Sequence, residues 1–422
     1  MHRLVIIGGG FGGLYAAQSM KNLPVQITLI DRRNFHLFQP LLYQVATGWL
    51  SPANIASTLR AVLRHQKNAQ VLLAEVTDID AERRKVIFAG GELGYDTLIV
   101  ATGSSHHYFG HHDWEKFAPG LKTIEDATEM RRRIFSAFES AERETDPTKI
   151  RAWLTFIIVG GGPTGVELAG ALADIANKTL TYDFRSIDPA DAQILLLEAS
   201  DRILSTYPED LSSKAQSFLN NLGISVQTRS AVTELRAGEV AVKRDETYET
   251  IPCQTVLWAA GVRASHLGAA LARCGVATLD RGGKVIVQND FSIANHPEIF
   301  VIGDLASYTP RGGKPLPGIA PVAQQAGRYV AKVVGARLTG KTLPRFTYRD
   351  RGSMAIVGRA TAIADLGGFH LAGFTAWLAW LFVHLMQLVE FENRVLVLVQ
   401  WGWFYFRRSR AARLITGDRF ES

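Results

Sequence analysis

The chain has 422 residues, more than a single hydrophobic core usually supports, so we expect two or three structural units. Hydrophobic residues make up 47% and charged residues 20% of the chain, which indicates a packed globular protein and excludes a disordered one. The two cysteines, Cys253 and Cys274, exclude a disulfide framework and the CxxC spacing of redox or metal sites, and we predict no metal ligands. The net charge of +6 allows either nucleic acid or an anionic membrane surface as a partner.

The chain enters an apolar strand almost at once. Residues 3–7 (RLVII) predict a strand, a glycine-rich turn follows, and residues 14–20 predict a helix rich in small residues. A second strand is predicted over 26–30 and ends at Asp31. Because no charged leader or signal segment precedes the first strand, we expect a cytoplasmic protein.

The turn has the spacing Gly8-x-Gly10-x-x-Gly13, which is typical of dinucleotide-binding sites. In that fingerprint the first glycine makes the tight turn, the second lets the backbone approach a pyrophosphate, and the third packs the helix against the strand. The helix N-terminus then presents its positive end to the phosphates. Asp31 follows Gly13 by 18 residues, where a carboxylate accepts hydrogen bonds from ribose hydroxyls. Glycine turns also serve plain packing, but the strand, helix and acidic residue together predict a nucleotide site.

The same pattern recurs in the middle of the chain. A strand over 155–159 leads into Gly160-x-Gly162-x-x-Gly165, a helix is predicted to about Tyr182, and a strand over 194–197 ends at Glu198. This is an internal duplication of a strand, turn and helix, and it predicts a second nucleotide site.

The acidic residue of the second copy comes late. Glu198 lies 33 residues after Gly165 instead of about 20, which we interpret as an insertion that includes the polar segment 183–192. A carboxylate at this position repels the 2′-phosphate of NADPH and therefore favours NADH. Arg202 lies near enough in sequence to weaken that preference.

Three more apolar runs predict buried strands with candidate ligand-binding residues at their ends. They are 98–101, followed by Thr102 and Gly103; 255–259, followed by Gly261; and 299–302, followed by Gly303 and Asp304. Ligands bind outside the carboxyl ends of parallel strands, so Asp304 is placed to contact one. On its residues alone, Asp304 is equally well explained as a turn residue or a helix N-cap.

The C-terminal part of the chain is strongly apolar. Residues 371–389 carry no formal charge apart from that of His384, and as a helix they measure about 28 Å, close to the roughly 30 Å of bilayer hydrocarbon. The polar corner 390–394 and the shorter run 395–406 argue against two spans. We predict a helical hairpin in the membrane interface, with a buried helix or a dimer interface as the alternative.

Aromatic and basic residues favour the membrane interpretation. The aromatic residues suited to the headgroup boundary are Trp377, Trp380, Trp401, Trp403 and Tyr405. The basic residues expected to meet anionic lipid are Arg407, Arg408, Arg410 and Arg413. Because these cations cluster beside tryptophans and form no separate basic face, we predict no nucleic-acid binding.

These motifs, in this order, resemble the type II NADH:quinone oxidoreductases, the non-pumping NADH dehydrogenases of the two-dinucleotide-binding flavoprotein group. The resemblance is carried by 5–13, 39–51 (QPLLYQVATGWLS), 101–104 (ATGS), 158–170 (IVGGGPTGVELAG), 257–262 (LWAAGV), 301–306 (VIGDLA), 323–327 (AQQAG) and the tail. Two departures matter. The family often has Glu where this chain has Asp31, which shortens the reach to the ribose, and Ala326 replaces a glutamate near the quinone path.

The resemblance implies an α/β fold with two Rossmann-like dinucleotide-binding domains, for FAD and NADH, plus a C-terminal membrane-associating helical segment. The implied boundaries are 1–110 and 276–340 for the FAD domain, 111–275 for the NADH domain and 341–422 for the membrane-anchoring region. The residues expected to bind non-covalent FAD or NADH are Gly8, Gly10, Phe11, Gly13, Asp31, Arg32, Thr102, Gly103, Gly160, Gly162, Pro163, Gly165, Glu198, Gly261, Gly303 and Asp304.

The resemblance also implies a reaction. NADH passes a hydride to flavin N5, and two electrons then reach a membrane quinone, ubiquinone or menaquinone, without ion pumping. Glu167 would lie near the nicotinamide, and Gln324 and Gln325 would line the quinone site. Taken alone, Glu167 is a helix residue paired with a neighbouring base, and the glutamines cap or face solvent on an ordinary helix. Trp258 and Tyr43 are interpreted as packing groups.

Other functions stay open at this point. A sulfide:quinone oxidoreductase needs reactive cysteines by the flavin, which the positions of Cys253 and Cys274 argue against. An NADPH-dependent quinone reductase and a membrane-recruited flavin redox sensor are the further alternatives. We expect peripheral attachment to the cytoplasmic face of the cell membrane, and the sequence leaves open whether the protein forms a homodimer.

Overall fold

A computed structural model describes residues 1–311, 313–407 and 412–416, with the side chains at 391 and 404–407 left out. The chain divides into two compact units. The first comprises Met1–Leu37, Ala56–Ser105 and Val262–Asp350; the second comprises Phe38–Ile55, His106–Gly261 and the described residues from Arg351 onward. Each unit is therefore built from stretches that are far apart in sequence.

The regular elements are numbered here in chain order. The α-helices are α1 (Phe11–Ser19), α2 (Leu42–Ala46), α3 (Pro52–Ile55), α4 (Leu59–Leu63), α5 (Ile124–Arg143), α6 (Pro147–Trp153), α7 (Pro163–Asp174), α8 (Glu209–Asn221), α9 (His266–Arg273), α10 (Ala320–Leu338), α11 (Phe374–Gln387) and α12 (Phe391–Arg407). The strands are β1 (His2–Ile7), β2 (Val25–Asp31), β3 (Phe35–Leu37), β4 (Ala56–Thr58), β5 (Ala69–Leu73), β6 (Val76–Asp80), β7 (Lys85–Phe88), β8 (Gly91–Gly94), β9 (Thr97–Val100), β10 (Ser104–His106), β11 (Thr155–Val159), β12 (Gln193–Leu197), β13 (Ile224–Gln227), β14 (Ser230–Arg236), β15 (Glu239–Arg244), β16 (Thr247–Pro252), β17 (Thr255–Trp258), β18 (Val262–Ala264), β19 (Val285–Ile286), β20 (Ser292–Ile293), β21 (His296–Val301), β22 (Ala306–Ser307), β23 (Ser353–Gly358), β24 (Thr361–Asp365) and β25 (His370–Gly373).

The core of the first unit is a six-stranded sheet in the order β20-β21-β9-β1-β2-β5. The pairs from β21 to β5 are parallel. A parallel sheet is covered on both faces, which explains why Leu4 to Ile7 in β1 are all apolar and at most 3% exposed. Helix α1 packs against α10 so closely that a Cβ on Gly327 would lie 2.3 Å from the carbonyl oxygen of Gly12. The predicted Rossmann-like sheet is confirmed here.

The second unit repeats this plan with a parallel four-stranded sheet in the order β13-β12-β11-β17. The helix predicted to reach about Tyr182 is shorter: α7 ends at Asp174 and continues as one π-helical segment, Ile175–Thr179. The polar residues that follow belong to the insertion that delays Glu198. An antiparallel sheet, β14-β15-β16, packs beside the parallel one.

The C-terminal part of the second unit contains an antiparallel sheet, β23-β24-β25, that the sequence did not predict. The apolar run 371–389 is not one helix, because its first residues complete β25 and the backbone turns at Gly373, where φ is 80°. The predicted polar corner 390–394 is mostly the first turn of α12. Within the described ranges, no helix combines the length and apolar content that crossing a bilayer requires.

Candidate functional site

The first glycine turn is built by close backbone approach. Gly8 has φ 102°, and a Cβ there would lie 2.5 Å from the carbonyl oxygen of Ala101. A Cβ on Gly13 would lie 1.9 Å from the carbonyl oxygen of Gly8, so α1 can reach β1 only with glycine at this position. By contrast, a Cβ on Gly10 would meet no atom within 4 Å. Gly8 and Gly13 therefore shape the turn, and Gly10 keeps a space open in front of the helix N-terminus.

A carboxylate closes the turn from the next strand. Asp31 accepts hydrogen bonds from the backbone N–H groups of Gly9, at 2.6 Å, and Arg33, at 2.7 Å. Burial raises the pKa of the Asp31 carboxyl, and these two N–H donors oppose the rise. The guanidinium of Arg32 is exposed and lies 3.7 Å from Glu75, so its contacts in the structure are to a surface carboxylate.

His36 also braces this turn, and sequence reasoning missed it because no spacing rule marks the position. Its Nδ1–H donates to the carbonyl oxygen of Gly9 at 2.9 Å, and its ring meets Phe11 edge to face at 5.0 Å. The side chain is 1% exposed, and burial lowers the pKa of His36, so the ring is neutral. Nε2 has no hydrogen-bond partner within the described ranges.

Neighbouring strands of the first sheet bring the remaining candidates to the same edge. Thr102 and Gly103 follow β9, which pairs in parallel with β1. Gly303 and Asp304 follow β21, which pairs in parallel with β9. Asp304 accepts a hydrogen bond from the hydroxyl of Ser104 at 2.8 Å. The hydroxyl oxygen of Thr102 is buried and has no hydrogen-bond partner among the described residues. An open space at Gly10 together with this unsatisfied hydroxyl fits a bound dinucleotide at this edge.

The second glycine turn reproduces the first. Gly160 has φ 107°, and a Cβ there would lie 2.8 Å from the backbone nitrogen of Ala260. A Cβ on Gly165 would lie 1.8 Å from the carbonyl oxygen of Gly160, whereas one on Gly162 would meet nothing within 4 Å. Pro163 occupies the first turn of α7, where its missing N–H leaves no hydrogen bond unmade.

Glu198 takes the place of Asp31 in this copy. One carboxylate oxygen accepts from the N–H of Gly161 at 2.6 Å, and the other accepts from the N–H of Ser200 at 2.8 Å and from its hydroxyl. Arg202 donates to the carbonyl oxygens of Tyr207 and Ser205 at 2.9 and 2.8 Å. The guanidinium of Arg202 is therefore engaged within its own loop and makes no contact with Glu198 in these hydrogen bonds.

Glu167 lies in α7, two residues after the last glycine of the turn. Its carboxylate makes one long contact, 3.5 Å, with the backbone N–H of Ile356 in β23. Burial raises the pKa of Glu167 to about 8, which the contact with Ile356 opposes only weakly. The carboxyl group is consequently protonated at neutral pH and can donate a hydrogen bond or a proton.

The two glutamines lie on α10 of the first unit but differ in their contacts. Gln325 donates to the carbonyl oxygen of Arg349 at 2.9 Å and accepts from the N–H of the same residue at 3.0 Å. Gln324 is 7% exposed, and its Nε2 has no hydrogen-bond partner in the described part of the chain. Only Gln324 thus keeps an uncommitted amide donor. Glu167 belongs to the second unit and the glutamines to the first.

An aromatic cavity of roughly 540 Å³, counted with its open mouth, lies in the second unit against α11 and α12. Its walls include Tyr43, Trp49, Trp377, Trp380 and Trp401. Trp401 donates to Gln44 at 2.9 Å, and Gln44 donates to the hydroxyl of Tyr43 at 2.9 Å. Trp258 and Tyr43 are 3% and 5% exposed, as expected of packing groups.

The two C-terminal helices have one buried and one exposed apolar side. Trp380 and Trp401, predicted for the headgroup boundary, are instead buried, with ring centroids 5.6 Å apart. His384 stacks on Trp380 at 4.1 Å, and burial lowers the pKa of His384 to about 4, so α11 is uncharged there at neutral pH. The exposed side chains show between 43% and 67% of their surface: Phe374, Leu378, Phe382, Met386, Val395, Leu396, Leu398, Val399 and Trp403.

The arginines of the tail are only partly described. Arg407 ends α12, and Arg408 and Arg410 lie outside the described residues. Arg413 forms an ion pair with Asp183, so this cation has a partner in the second unit. The side chain of Tyr405 likewise lies outside the description.

Comparisons with known proteins identify the family of the chain. Residues 2–327 match the family described as "Pyridine nucleotide-disulphide oxidoreductase", and residues 351–408 match "NDH2 C-terminal domain". Two Mycobacterium tuberculosis proteins, the "Type II NADH:quinone oxidoreductase" NdhA and the one called Ndh, are each 44% identical over 99% of this chain and 90% and 91% of their own. The solved structure "NDH2 from plasmodium falciparum in complex with NADH" covers 99% of this chain and 100% of its own, with a TM-score of 0.89 and 20% identity.

Proposed function

The chain belongs to the type II NADH:quinone oxidoreductase family, and from this premise we propose that it transfers electrons from NADH through bound FAD to a membrane quinone. The observation that carries the proposal is the pair of matching glycine turns, each closed by a carboxylate from the next strand. No proton pumping is part of this reaction.

The first unit supplies the site for FAD, which, when bound, accepts a hydride and releases two electrons to the quinone. Gly8 and Gly13 shape the turn, Gly10 leaves room for the pyrophosphate, and Asp31 accepts hydrogen bonds from a ribose. Thr102 offers its unsatisfied hydroxyl, and Asp304 lies at the same sheet edge next to Ser104. The domain for FAD therefore corresponds to the strands β1, β2, β9 and β21.

The second unit binds NADH. The turn from Gly160 to Gly165 receives the pyrophosphate at the N-terminus of α7, and Glu198 receives the adenosine ribose. Because Arg202 is engaged with backbone carbonyls and the nearby Arg229 pairs with Asp245, both cations already have partners, and we propose a preference for NADH over NADPH. The C-terminal residues from 341 onward form the membrane-anchoring region in this proposal.

Glu167 acts near the nicotinamide in this proposal. Its carboxyl group holds a proton at neutral pH, since burial raises its pKa to about 8. A neutral acid does not repel the electron-rich reduced nicotinamide, and it can deliver its proton when charge develops nearby.

Gln324 and Gln325 serve the quinone in different ways. The free amide of Gln324 donates to a quinone carbonyl, whereas Gln325 holds the 349 segment in place. We expect Gln324→Leu to raise the KM for a quinone analogue about tenfold and to leave the KM for NADH unchanged. The matched variant Gln325→Leu should lower the melting temperature more and raise the quinone KM less. Equal quinone kinetics in Gln324→Leu and the wild type would contradict this assignment.

In this proposal the exposed apolar side of α11 and α12 lies against a membrane. Both helices carry large apolar side chains on the exposed as well as the buried side, and an exposed apolar side favours an apolar environment such as a membrane. A hydrophobic quinone dissolved in the membrane also requires the enzyme to work at that surface. We propose peripheral attachment at the cytoplasmic face, with ubiquinone or menaquinone as acceptor.

Point substitutions test this attachment without removing buried residues. Leu378→Gln, Phe382→Gln and Val399→Gln combined should release the protein from vesicles of phosphatidylcholine and phosphatidylglycerol, with an unchanged melting temperature. Leu73→Gln, which alters a side chain that is 57% exposed in the first unit, is the control and should still sediment with the vesicles. If the wild type is a dimer in size-exclusion chromatography and the triple variant still sediments but is a monomer, the apolar side is a homodimer interface instead.

A further inference from the structure

The second unit has an exposed aromatic ring, that of Phe109, in a loop beside the parallel sheet. Phe109 exposes 60% of its surface, although Tyr108 beside it is 3% exposed. Its backbone φ is 52°, in the left-handed region that bulky residues rarely adopt. A strained residue with an exposed ring persists only when its surroundings hold it, and such residues cluster at ligand sites.

The surroundings that hold Phe109 come from the end of β17. The indole N–H of Trp258 donates to the carbonyl oxygen of His107 at 3.1 Å, which anchors the loop. The ring of Phe109 meets that of His107 at 4.8 Å and that of Trp258 at 6.3 Å. The loop is thus fixed to the carboxyl end of β17, where ligands of parallel sheets bind.

The ring lies at the switch point of the parallel sheet. Strand β11 pairs with β12 on one side and with β17 on the other, so the switch point, where parallel sheets bind their ligands, lies between the ends of β11 and β17. The backbone of Gly160 approaches that of Ala260, and the next residue is Gly261 with φ 68°. A Cβ on Gly261 would lie 2.9 Å from the Cζ atom of Phe109. Turn, strand end and aromatic ring therefore form one continuous surface.

The order of the strands identifies which part of a dinucleotide reaches this ring. Glu198 follows β12 and takes the adenosine ribose, and the glycine turn follows β11 and takes the pyrophosphate. The part on the β17 side is then the nicotinamide riboside. We propose that Phe109 binds the nicotinamide half of NADH by aromatic contact and that glycine at 261 keeps the ring in this position. This inference rests on the proposed function, because it requires NADH in the second unit.

Two probes separate the nicotinamide half from the rest of the ligand. NAD+ carries the nicotinamide, and ADP-ribose lacks it. We expect Phe109→Ala to weaken NAD+ binding in isothermal titration calorimetry by roughly five- to tenfold, with ADP-ribose binding unchanged within twofold. Phe109→Tyr, which keeps the aromatic face, should bind both probes like the wild type. The KM for NADH should rise in Phe109→Ala while the KM for a quinone analogue stays constant.

Tyr248→Ala is the matched control, since Tyr248 is another exposed aromatic residue of the second unit, 71% exposed and in β16. It should change neither affinity. Unchanged NAD+ affinity in Phe109→Ala, or an equal loss for both probes, would overturn the inference alone. A wild-type protein that binds neither probe would overturn the proposed NADH site and the inference with it.

Discussion

The two glycine turns have the same backbone, but the side chains placed around them differ. A Cβ added to Gly13 or Gly165 would lie 1.9 or 1.8 Å from the carbonyl oxygen of the first glycine of its turn. In α1 the residue two positions after the turn is Tyr15, whose ring lies 4.8 Å from the guanidinium of Arg328, whereas in α7 the same position is Glu167. The duplicated backbone therefore carries different side chains at equivalent positions, and in the proposed function only Glu167 lies beside a reacting substrate.

The third glycine of each turn should give the largest effect. Gly165→Ala forces a Cβ to within 1.8 Å of the Gly160 carbonyl oxygen, so we expect a loss of about 3 kcal/mol in the free energy of unfolding. Denaturant unfolding measures this, and NADH oxidation should be lost as well. Gly13→Ala should destabilise the protein to a similar extent and also lower its flavin content. A Gly165→Ala variant as stable as the wild type would show that the two turns do not share the same constraint.

The middle glycine should separate ligand binding from folding. A Cβ on Gly162 meets nothing within 4 Å, so Gly162→Ala should change the free energy of unfolding by less than about 0.5 kcal/mol. It should nevertheless lower kcat/KM for NADH more than tenfold, because the Cβ fills the space of the pyrophosphate. Gly10→Ala should instead reduce the ratio of flavin to protein. If Gly162→Ala lost flavin, or Gly10→Ala lost only its response to NADH, the assignment of FAD and NADH to the two turns would be reversed.

Substitution of the Glu198 carboxylate should have a smaller effect than the glycine variants, and the effect should differ between NADH and NADPH. We expect Glu198→Gln to raise the KM for NADH roughly tenfold, since hydrogen bonds to a charged acceptor are worth about 1.5–3 kcal/mol. The KM for NADPH should fall or stay constant, because the repulsion of its 2′-phosphate is removed. Steady-state kinetics with both nucleotides measure this, with Ser205→Ala, in the neighbouring loop, as the control. An equal rise in the KM for NADH and for NADPH would contradict the proposal that the charge of Glu198 repels the 2′-phosphate.

Glu167 should make the stability of the protein depend on pH. An exposed glutamate has a pKa near 4.5, and burial raises that of Glu167 to about 8, so between these values the folded protein keeps a proton that the unfolded chain releases. The stability of the protein should therefore fall as pH rises from about 5 to about 8 and change no further above it. Glu167→Gln should remove this decline, so its melting temperature should exceed that of the wild type increasingly up to pH 8. Tyr15→Phe, at the equivalent position of α1, should follow the wild-type profile, and a constant difference between Glu167→Gln and the wild type would refute the pKa shift.

The sequence identified the parts of the fold that depend on local spacing. Both turns and both carboxylates were predicted, because each turn has the fingerprint spacing and each following strand ends at an acidic residue. Asp31 and Glu198 accept from the N–H groups of Gly9 and Gly161 in the same way. The 15 extra residues before Glu198, the difference between intervals of 33 and 18, were correctly interpreted as an insertion.

Features that depend on tertiary contacts were not predictable. The apolar residues before Gly373 look the same whether they form a helix or a strand, and only the pairing of β25 with β24 decides between these. Gln324 and Gln325 are adjacent and chemically identical, yet only the fold shows that Gln325 is bound to the Arg349 backbone. His36 likewise had no sequence signal, since its role comes from a contact with Gly9 across 27 positions.

Electron transfer from NADH to quinone is tested most directly by an anaerobic two-step titration of the purified, FAD-loaded protein. NADH is added first and a water-soluble quinone analogue second, while the flavin absorbance near 450 nm is recorded. NADH should bleach the absorbance and the quinone should restore it, with NADPH bleaching far more slowly. A flavin that NADH does not bleach, or a bleached flavin that the quinone does not restore, would contradict the transfer of electrons from NADH to quinone.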